Sequence, residues 1–192
     1  IRFDNNGTLW GVENGVDNLI RPDLGGDIHA NNPAEEVNKF IKKGFYGYPN
    51  CWSEFKLDPK YAKGPGTQWA HPDFMPNTTD QWCVDNSIRP VYSMQAHMAP
   101  MDIIFYYNSS FPSEYQGNAF VSFHGSWNRE IPVGYKISHL IIDKQTDLPI
   151  KHQPFFYHEG DAVWPNEIRP VGLGIANCMS GDCLYVASDR TG

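Results

Sequence analysis

Long apolar runs are missing from this chain: the longest is Ile103-Ile104-Phe105-Tyr106-Tyr107, whereas a membrane-crossing helix needs about 20 apolar residues in succession. No membrane-spanning helix is therefore expected. Positive charge is also scarce, with 15 Lys+Arg against 22 Asp+Glu and a net charge of −7, and the cations form no cluster. That balance disfavours nucleic acid as a partner, because backbone binding needs many cationic contacts. Cys-x-x-Cys is absent, which excludes a zinc ribbon and a thioredoxin-like centre. There is no Gly-x-Gly-x-x-Gly, no phosphate-binding Gly-x-x-x-x-Gly-Lys-Ser/Thr, no His-Glu-x-x-His and no Gly-x-Ser-x-Gly, so nucleotide, zinc-protease and lipase chemistries fall away. The text starts at Ile1, inside what reads as a strand, without Met or a charged-then-apolar leader, so its beginning is not expected to be the natural one.

What is present is enough for a folded core: 192 residues, 41% hydrophobic and 14% aromatic. Short β-branched and aromatic runs recur at Thr8–Glu13, Pro90–Met94, Ile103–Tyr107, Ala119–His124, Tyr135–Ile142, Pro154–His158, Val171–Ala176 and Cys183–Ser188, and these predict strands. The one helical candidate is Pro33–Lys42, opened by Asn32 with Glu35 and Glu36 in its first turn. With 17 Gly and 15 Pro scattered between the runs, the class is all-β with long loops. A strand–turn–strand text at residues 1–15 is echoed at residues 173–189 and in part at residues 115–125, a repetition that suggests a β-propeller. The predicted strands make only two or three blades, too few to close a ring; a β-sandwich with similar hairpins is the alternative.

Cys178 and Cys183 bracket the turn-forming Met179-Ser180-Gly181-Asp182, which places them across a hairpin at disulfide-compatible separation, and leaves Cys51 with Cys83. Asn-x-Ser/Thr sequons stand at Asn6, Asn77 and Asn108. Together these favour a secreted, extracellular glycoprotein, against the alternative of four buried thiols and chance sequons.

Three stretches could carry chemistry. Asp4-Asn5-Asn6-Gly7-Thr8 superficially matches a calcium loop, but its glycine comes too early and no closing Glu follows, so it reads as a hairpin turn. Glu13-Asn14-Gly15-Val16-Asp17-Asn18, with Asp23, Asp27, Glu35 and Glu36, offers carbonyls and carboxylates to a hard cation, calcium first; a solvated acidic loop is the alternative. Gln95-Ala96-His97-Met98-Ala99-Pro100 and Phe123-His124-Gly125-Ser126-Trp127-Asn128-Arg129 lie at strand ends. There His124, Trp127, Asn128 and Arg129 suit a planar, carboxylate-bearing ligand, while His97 and His124 could equally be structural. Arg169 is a further cation at a strand start.

Glu13-Asn14-Gly15, Gly26-Asp27-Ile28-His29-Ala30, Asn32-Pro33-Ala34-Glu35-Glu36-Val37-Asn38-Lys39-Phe40, Tyr46-Gly47-Tyr48-Pro49, Gly64-Pro65-Gly66-Thr67-Gln68, Gln95-Ala96-His97 and the run from Phe123 to Arg129 resemble, in that order, the later part of the soluble pyrroloquinoline quinone (PQQ) dependent sugar dehydrogenases, above all the fungal pyranose and sorbosone dehydrogenase branch. The resemblance covers nearly the whole chain. It implies a six-bladed β-propeller, of which residues 1–192 would be a partial domain holding only the later blades. It further implies an oxidoreductase, a quinoprotein that oxidises the anomeric hydroxyl of an aldose or pyranose with PQQ and calcium. By the same resemblance the backbone carbonyls of Gly15 and Val16 would ligate calcium, and Asn14 would lie beside the quinone. His124, Trp127, Asn128 and Arg129 would line the cofactor site, with Arg169 a partner for a PQQ carboxylate. Gly15-Val16 replaces the Gly-Pro of many relatives, which carbonyl ligands tolerate. The catalytic base and an Arg-Asn pair are expected in the missing first half, so no base is assigned, and the chain alone is not expected to turn over its small-molecule sugar substrate. Possible partners are an electron-acceptor domain or protein. A non-catalytic extracellular propeller, serving as a structural or interaction module in a secreted or cell-surface assembly, is the rival reading.

Overall fold

A computed structural model describes residues 1–158, 168–179 and 181–190. The chain folds as two compact units, one made of Ile1–Val12 with Met98–Gly192 and the other of Glu13–His97. In chain order the strands are β1 (Arg2–Phe3), β2 (Leu9–Glu13), β3 (Ile20–Arg21), β4 (Gly26–Asp27), β5 (Glu35–Phe40), β6 (Cys51–Ser53) and β7 (Gln68–Ala70), then helix α1 (Asp80–Asn86). Next come β8 (Tyr92–Met94), β9 (Pro100–Tyr106), β10 (Asn118–Phe123), β11 (Lys136–Asp143), β12 (Leu148–Phe156), β13 (Pro170–Cys178) and β14 (Gly181–Ser188). The all-β class is observed.

In the first unit β9 to β12 form a four-stranded antiparallel sheet in the order β12-β11-β10-β9, and β13 pairs with β14 as a separate hairpin. Every residue of β10 is buried, as befits an inner strand between two partners. Tyr106, Phe120, Ile137 and Leu173 make the core, flanked by Phe111 and Tyr115. Arg2 ties three strands together: its Nη2 donates to Asp102 Oδ2 and to the Leu173 carbonyl, both at 2.9 Å, while Leu173 N donates to the same Asp102 oxygen at 2.9 Å. The β1–β2 hairpin turns on Asp4, whose Oδ1 accepts from the Asn6 and Thr8 amides and whose Oδ2 accepts from Trp10 Nε1. Both oxygens are thus spent on the turn, as the sequence of Asp4–Thr8 leads one to expect.

In the Glu13–His97 unit the core is Leu19, Leu24, Trp52, Leu57 and Trp69, the two tryptophans stacking with centroids 6.0 Å apart. Arg21, 1% exposed, donates to Asp23 on one side and to Asp80, at the start of α1, on the other, with Nη1 also 2.9 Å from the Ala70 carbonyl. Burial alone would lower its pKa, but the hydrogen bonds and charges of the two aspartates outweigh it and raise the pKa. Thr79 caps α1 by accepting from Trp82 N.

Cys51–Cys83 and Cys178–Cys183 are both disulfides, with Cα atoms 5.8 and 5.9 Å apart. The first anchors α1 to β6 and the second closes the β13–β14 hairpin; Ser180 of its turn lies outside the described residues.

The helix expected at Pro33–Lys42 is not there. Residues 35–40 are strand β5, registered against β8 as Glu35↔Met94, Glu36↔Ser93 and Val37↔Tyr92. Asn32, read as a helix cap, is buried, and its side chain instead accepts from the Phe55 and Lys56 amides and donates to the Lys56 carbonyl. A neighbouring loop satisfies the would-be cap, and the partner strand sets the backbone.

Candidate functional site

Asn14, Gly15 and Val16 follow β2 and line a cavity of about 210 Å³ within the Glu13–His97 unit, walled also by Glu13, Glu36, Tyr46, Tyr48, Trp52 and Phe74. The loop is held in place by its backbone. Gly15 N donates to Glu35 Oε2 at 2.8 Å, and a Cβ on Gly15 would lie 2.7 Å from Pro33 Cγ and 3.1 Å from the Ala34 carbonyl oxygen. Only glycine permits that approach.

Behind the loop runs a buried polar chain. Asn38 Nδ2 donates to Glu36 Oε2 at 2.8 Å and to Glu13 Oε2 at 3.4 Å, the Ser53 hydroxyl donates to Glu36 Oε1, and Gln68 Nε2 donates to Ser53 Oγ at 2.7 Å. Burial pushes the Glu36 carboxyl up to about 7; hydrogen bonds from Ser53 and Asn38 oppose the rise and the nearby Glu13 charge adds to it. Burial likewise raises Glu13, against the Asn38 hydrogen bond. Because the folded pKa of Glu36 lies above its unfolded value of 4.5, the native state holds a proton that the unfolded chain has lost. The carboxyl costs no stability below pH 4.5 and destabilises progressively as pH rises through about 7, by about 3 kcal/mol at the plateau. Denaturant unfolding in chelator across this range should show the decline in the natural chain, and Glu36→Gln should remove most of it. An identical pH profile in the variant would contradict this.

Of the acids read as one cation cluster, Glu13 and Glu36 share Asn38, while the others are engaged elsewhere. Asp23 is held by Arg21, Asp27 accepts from the His29 amide, Glu35 anchors Gly15, and Glu36 belongs to the Asn38–Ser53 chain. The sequence alone does not identify the anchoring role of the Glu35 carboxylate or the Asn38, Ser53 and Gln68 partners. A glycine at a strand end with an acid pair downstream is the available signal, but the contact spans twenty positions. His97, in the same unit, is buried with Nε2 2.6 Å from the His29 carbonyl. Burial lowers its pKa, against the opposing backbone contacts of His29 and Asn32.

In the other unit the residues after β10 form a tight loop. The His124 and Gly125 amides donate to the Ala99 and Met98 carbonyls at 2.9 and 3.0 Å, so the two sequence segments singled out there do meet, through backbone. His124 Nε2 is 2.8 Å from Asp189 Oδ2. Ser126 and Val133 exchange hydrogen bonds, and the Tyr135 hydroxyl donates to the Ser126 carbonyl. Trp127 is 72% exposed, Asn128 and Arg129 half-buried. Arg169 is a strut of this loop: Nε donates to the His124 carbonyl at 3.1 Å and Nη2 to the Gly125 carbonyl at 2.7 Å, with the guanidinium 5.5 Å over the Tyr135 ring. Two of its donor atoms are therefore committed to backbone.

These features define an all-β domain in which loops at strand ends present an oxygen-rich, aromatic-walled cavity in one unit and a cation-bearing loop in the other. The chain belongs to the TrAA12-like family, whose family model matches residues 1–192. It is 32% identical over 220 residues to a pyrroloquinoline quinone-dependent pyranose dehydrogenase of Coprinopsis cinerea, covering 100% of this chain and 29% of that protein. It is 37% identical over 131 residues to a pyrroloquinoline quinone-dependent sugar dehydrogenase of Hypocrea jecorina, covering 63% of this chain and 28% of that protein. Among solved structures it is similar to Trichoderma reesei Carbohydrate-Active Enzymes Family AA12 (TM-score 0.79, 31% identity, 96% of this chain and 47% of that one). It is also similar to the holo form of the pyranose dehydrogenase PQQ domain of Coprinopsis cinerea (TM-score 0.79, 29% identity, 98% of this chain and 50% of that one). The chain thus spans under a third of the curated relatives and about half of the solved chains. The resemblance read from the motifs is borne out.

Proposed function

We propose that this chain is the later part of a β-propeller dehydrogenase that uses PQQ and calcium to oxidise the anomeric hydroxyl of a pyranose. The observation that carries the reading is the Gly15–Val16 turn: a loop fixed by Glu35 and packed against Pro33, opening on a cavity lined by the Glu13 and Glu36 carboxyl groups and aromatic walls. Its chemistry fits the groups concerned, since calcium takes oxygen ligands and planar rings pack on aromatic faces. A calcium-bound Trichoderma reesei AA12 structure, 30% identical with a TM-score of 0.78, supports the same ion.

In this reading the Gly15 and Val16 carbonyls hold calcium, and the exposed Asn14 amide hydrogen-bonds beside the quinone. In the other unit His124, Trp127, Asn128 and Arg129 are the cofactor-binding side chains: the indole supplies a face, the guanidinium neutralises a carboxylate, and Asp189 orients the imidazole. Arg169 supports them by holding the His124 and Gly125 carbonyls, and any PQQ carboxylate it meets is met by its remaining donors. Bound there, calcium supplies Lewis acidity and the quinone a hydride acceptor. The four-stranded meander of β9–β12 has the form of one propeller blade, with residues 1–192 as a partial domain.

The test is a calcium-dependent PQQ titration of the longest natural form of the polypeptide, followed by cofactor absorbance and melting temperature. Saturable binding is expected only with calcium, and His124→Ala and Arg129→Ala should each weaken it about 10- to 100-fold, the worth of a charge-assisted hydrogen bond. Unchanged affinity in both variants would remove the site, and no binding by the folded protein would favour a non-catalytic propeller.

Extracellular placement follows the same reading. The two disulfides suit an oxidising compartment, and Asn6, Asn77 and Asn108 are all exposed, as glycan acceptors must be. Enzymatic deglycosylation of the secreted protein should lower its mass; an unchanged mass would refute glycosylation.

A further inference from the structure

Two histidines of the Glu13–His97 unit have no part in the proposed cofactor site, yet their rings lie 4.0 Å apart, centroid to centroid. His97 is 5% exposed and sits at φ 64°, a left-handed conformation that a non-glycine residue keeps only where surrounding contacts hold it. A carbonyl can only accept, so the 2.6 Å contact with the His29 carbonyl places the proton of the neutral His97 ring on Nε2 and the lone pair on Nδ1. That Nδ1 lies 3.7 Å from Asp17 Oδ1, too far for a hydrogen bond, and sets two acceptors against each other. His29 presents its own lone pair on Nδ1, where it accepts from the Asn18 amide at 2.9 Å; its Nε2 is buried with no hydrogen-bond partner among the described residues. One ligand atom from each of Asp17, His29 and His97 lies within 4.8 Å of the others.

We propose that Asp17, His29 and His97 form a binding site for a first-row divalent transition-metal ion, zinc in the first instance. Two imidazoles and a carboxylate are borderline donors that suit zinc and its neighbours, whereas calcium takes oxygen almost exclusively. A tetrahedral ion at about 2.0–2.1 Å from its donors holds them about 3.3 Å apart, so small rotations of the exposed Asp17 and half-buried His29 side chains close the set around the ion. The His97 Nε2–H bond to a backbone carbonyl is the outer support that metal-ligating histidines ordinarily have; here it fixes both tautomer and ring orientation. A cation between His97 Nδ1 and Asp17 replaces acceptor–acceptor repulsion with two bonds, and a ring nitrogen of His29 supplies the third. Exposed Asp17 leaves the fourth position to water.

The experiment is a zinc titration by calorimetry of the full chain kept in millimolar calcium, with cobalt(II) absorbance as the probe of geometry. One zinc per chain is expected, together with the intense visible bands of a tetrahedral cobalt site. Asp17→Asn and His29→Gln should each weaken zinc binding at least tenfold, and His29→Gln, which lies outside the loop proposed to hold calcium, should leave calcium-dependent PQQ binding unaltered; circular dichroism checks that each variant keeps its fold. Zinc affinity unchanged in both variants, zinc displaced by excess calcium, or an octahedral cobalt spectrum would each overturn the proposal. The site rests on this chain's own side chains, so loss of PQQ binding in the unsubstituted protein would leave the zinc result to stand or fall alone.

Discussion

Arg21→Ala should lower the unfolding free energy of this chain by about 3 kcal/mol, read as a fall in denaturant midpoint at constant m-value. Arg21 is among the largest fully buried side chains of the Glu13–His97 unit, and truncation leaves Asp80, the Ala70 carbonyl and part of Asp23 without the cation that joins them. Removing one partner of a buried ion pair costs about 3–5 kcal/mol because the other charge stays behind uncompensated. Here Asp80 and Asp23 keep 26% and 55% side-chain exposure, so water recovers part of the loss and the lower end applies. Asp80 also accepts from the Ala70 amide at 2.9 Å, so the same substitution loosens the start of α1 against β7. Arg21→Met, which keeps the packing volume, should cost less than Arg21→Ala. If Arg21→Ala unfolded at the same midpoint as the natural chain, the two aspartates would have no structural role in this unit.

Gly134→Ala should disrupt the loop after β10 and with it the proposed quinone-binding side chains. Gly134 lies at φ 90°, and a Cβ there would meet the Gly125 Cα and the Met98 carbonyl oxygen, each at 2.6 Å. Both are backbone atoms, so no rotamer relieves the clash, and the left-handed conformation adds its own strain. Gly125, itself at φ 96°, carries the carbonyl that Arg169 holds, so displacing it moves the turn bearing Trp127, Asn128 and Arg129. The expected result is a loss of PQQ affinity of about 100-fold or more, equal to about 3 kcal/mol, with circular dichroism of the sheet retained. Gly117→Ala is the matched control: it also has positive φ, 78°, but a Cβ there would meet nothing within 4 Å. Equal PQQ affinity in Gly134→Ala and the natural chain would separate the loop from the cofactor.

Much of the architecture was legible locally. Alternating apolar and aromatic runs between glycine and proline placed β2, β8, β9, β10, β11, β13 and β14 to within a few residues, because a strand with buried faces must concentrate β-branched and aromatic residues. β12 begins earlier than the run Pro154–His158 suggested, at Leu148, since Lys151, His152 and Gln153 interrupt its apolar text and it is held by pairing with β11. The short strands β6 and β7 had no periodic text at all; Trp52 and Trp69 stack because their strands pair at that register. The opposite failure occurred at residues 33–42, where local signals were strong and wrong. Glu35 and Glu36 looked like the acidic first turn of a helix, yet both are required elsewhere, Glu35 by the Gly15 amide and Glu36 by Ser53 and Asn38.

The sequence by itself determined the all-β class, the Cys178–Cys183 disulfide and the family, because hydrophobic alternation, a short cysteine spacing around a turn, and an ordered string of motifs are all properties of nearby residues; Cys51–Cys83, 32 positions apart, followed only as the remaining pair. Only the tertiary structure decided that Glu35 anchors Gly15, that Arg169 braces the backbone of the His124 loop, and that Asp17, His29 and His97 converge. Each of those relations joins positions well separated along the chain, and side chains so placed meet only through the packing of strands and loops between them, which no local pattern encodes.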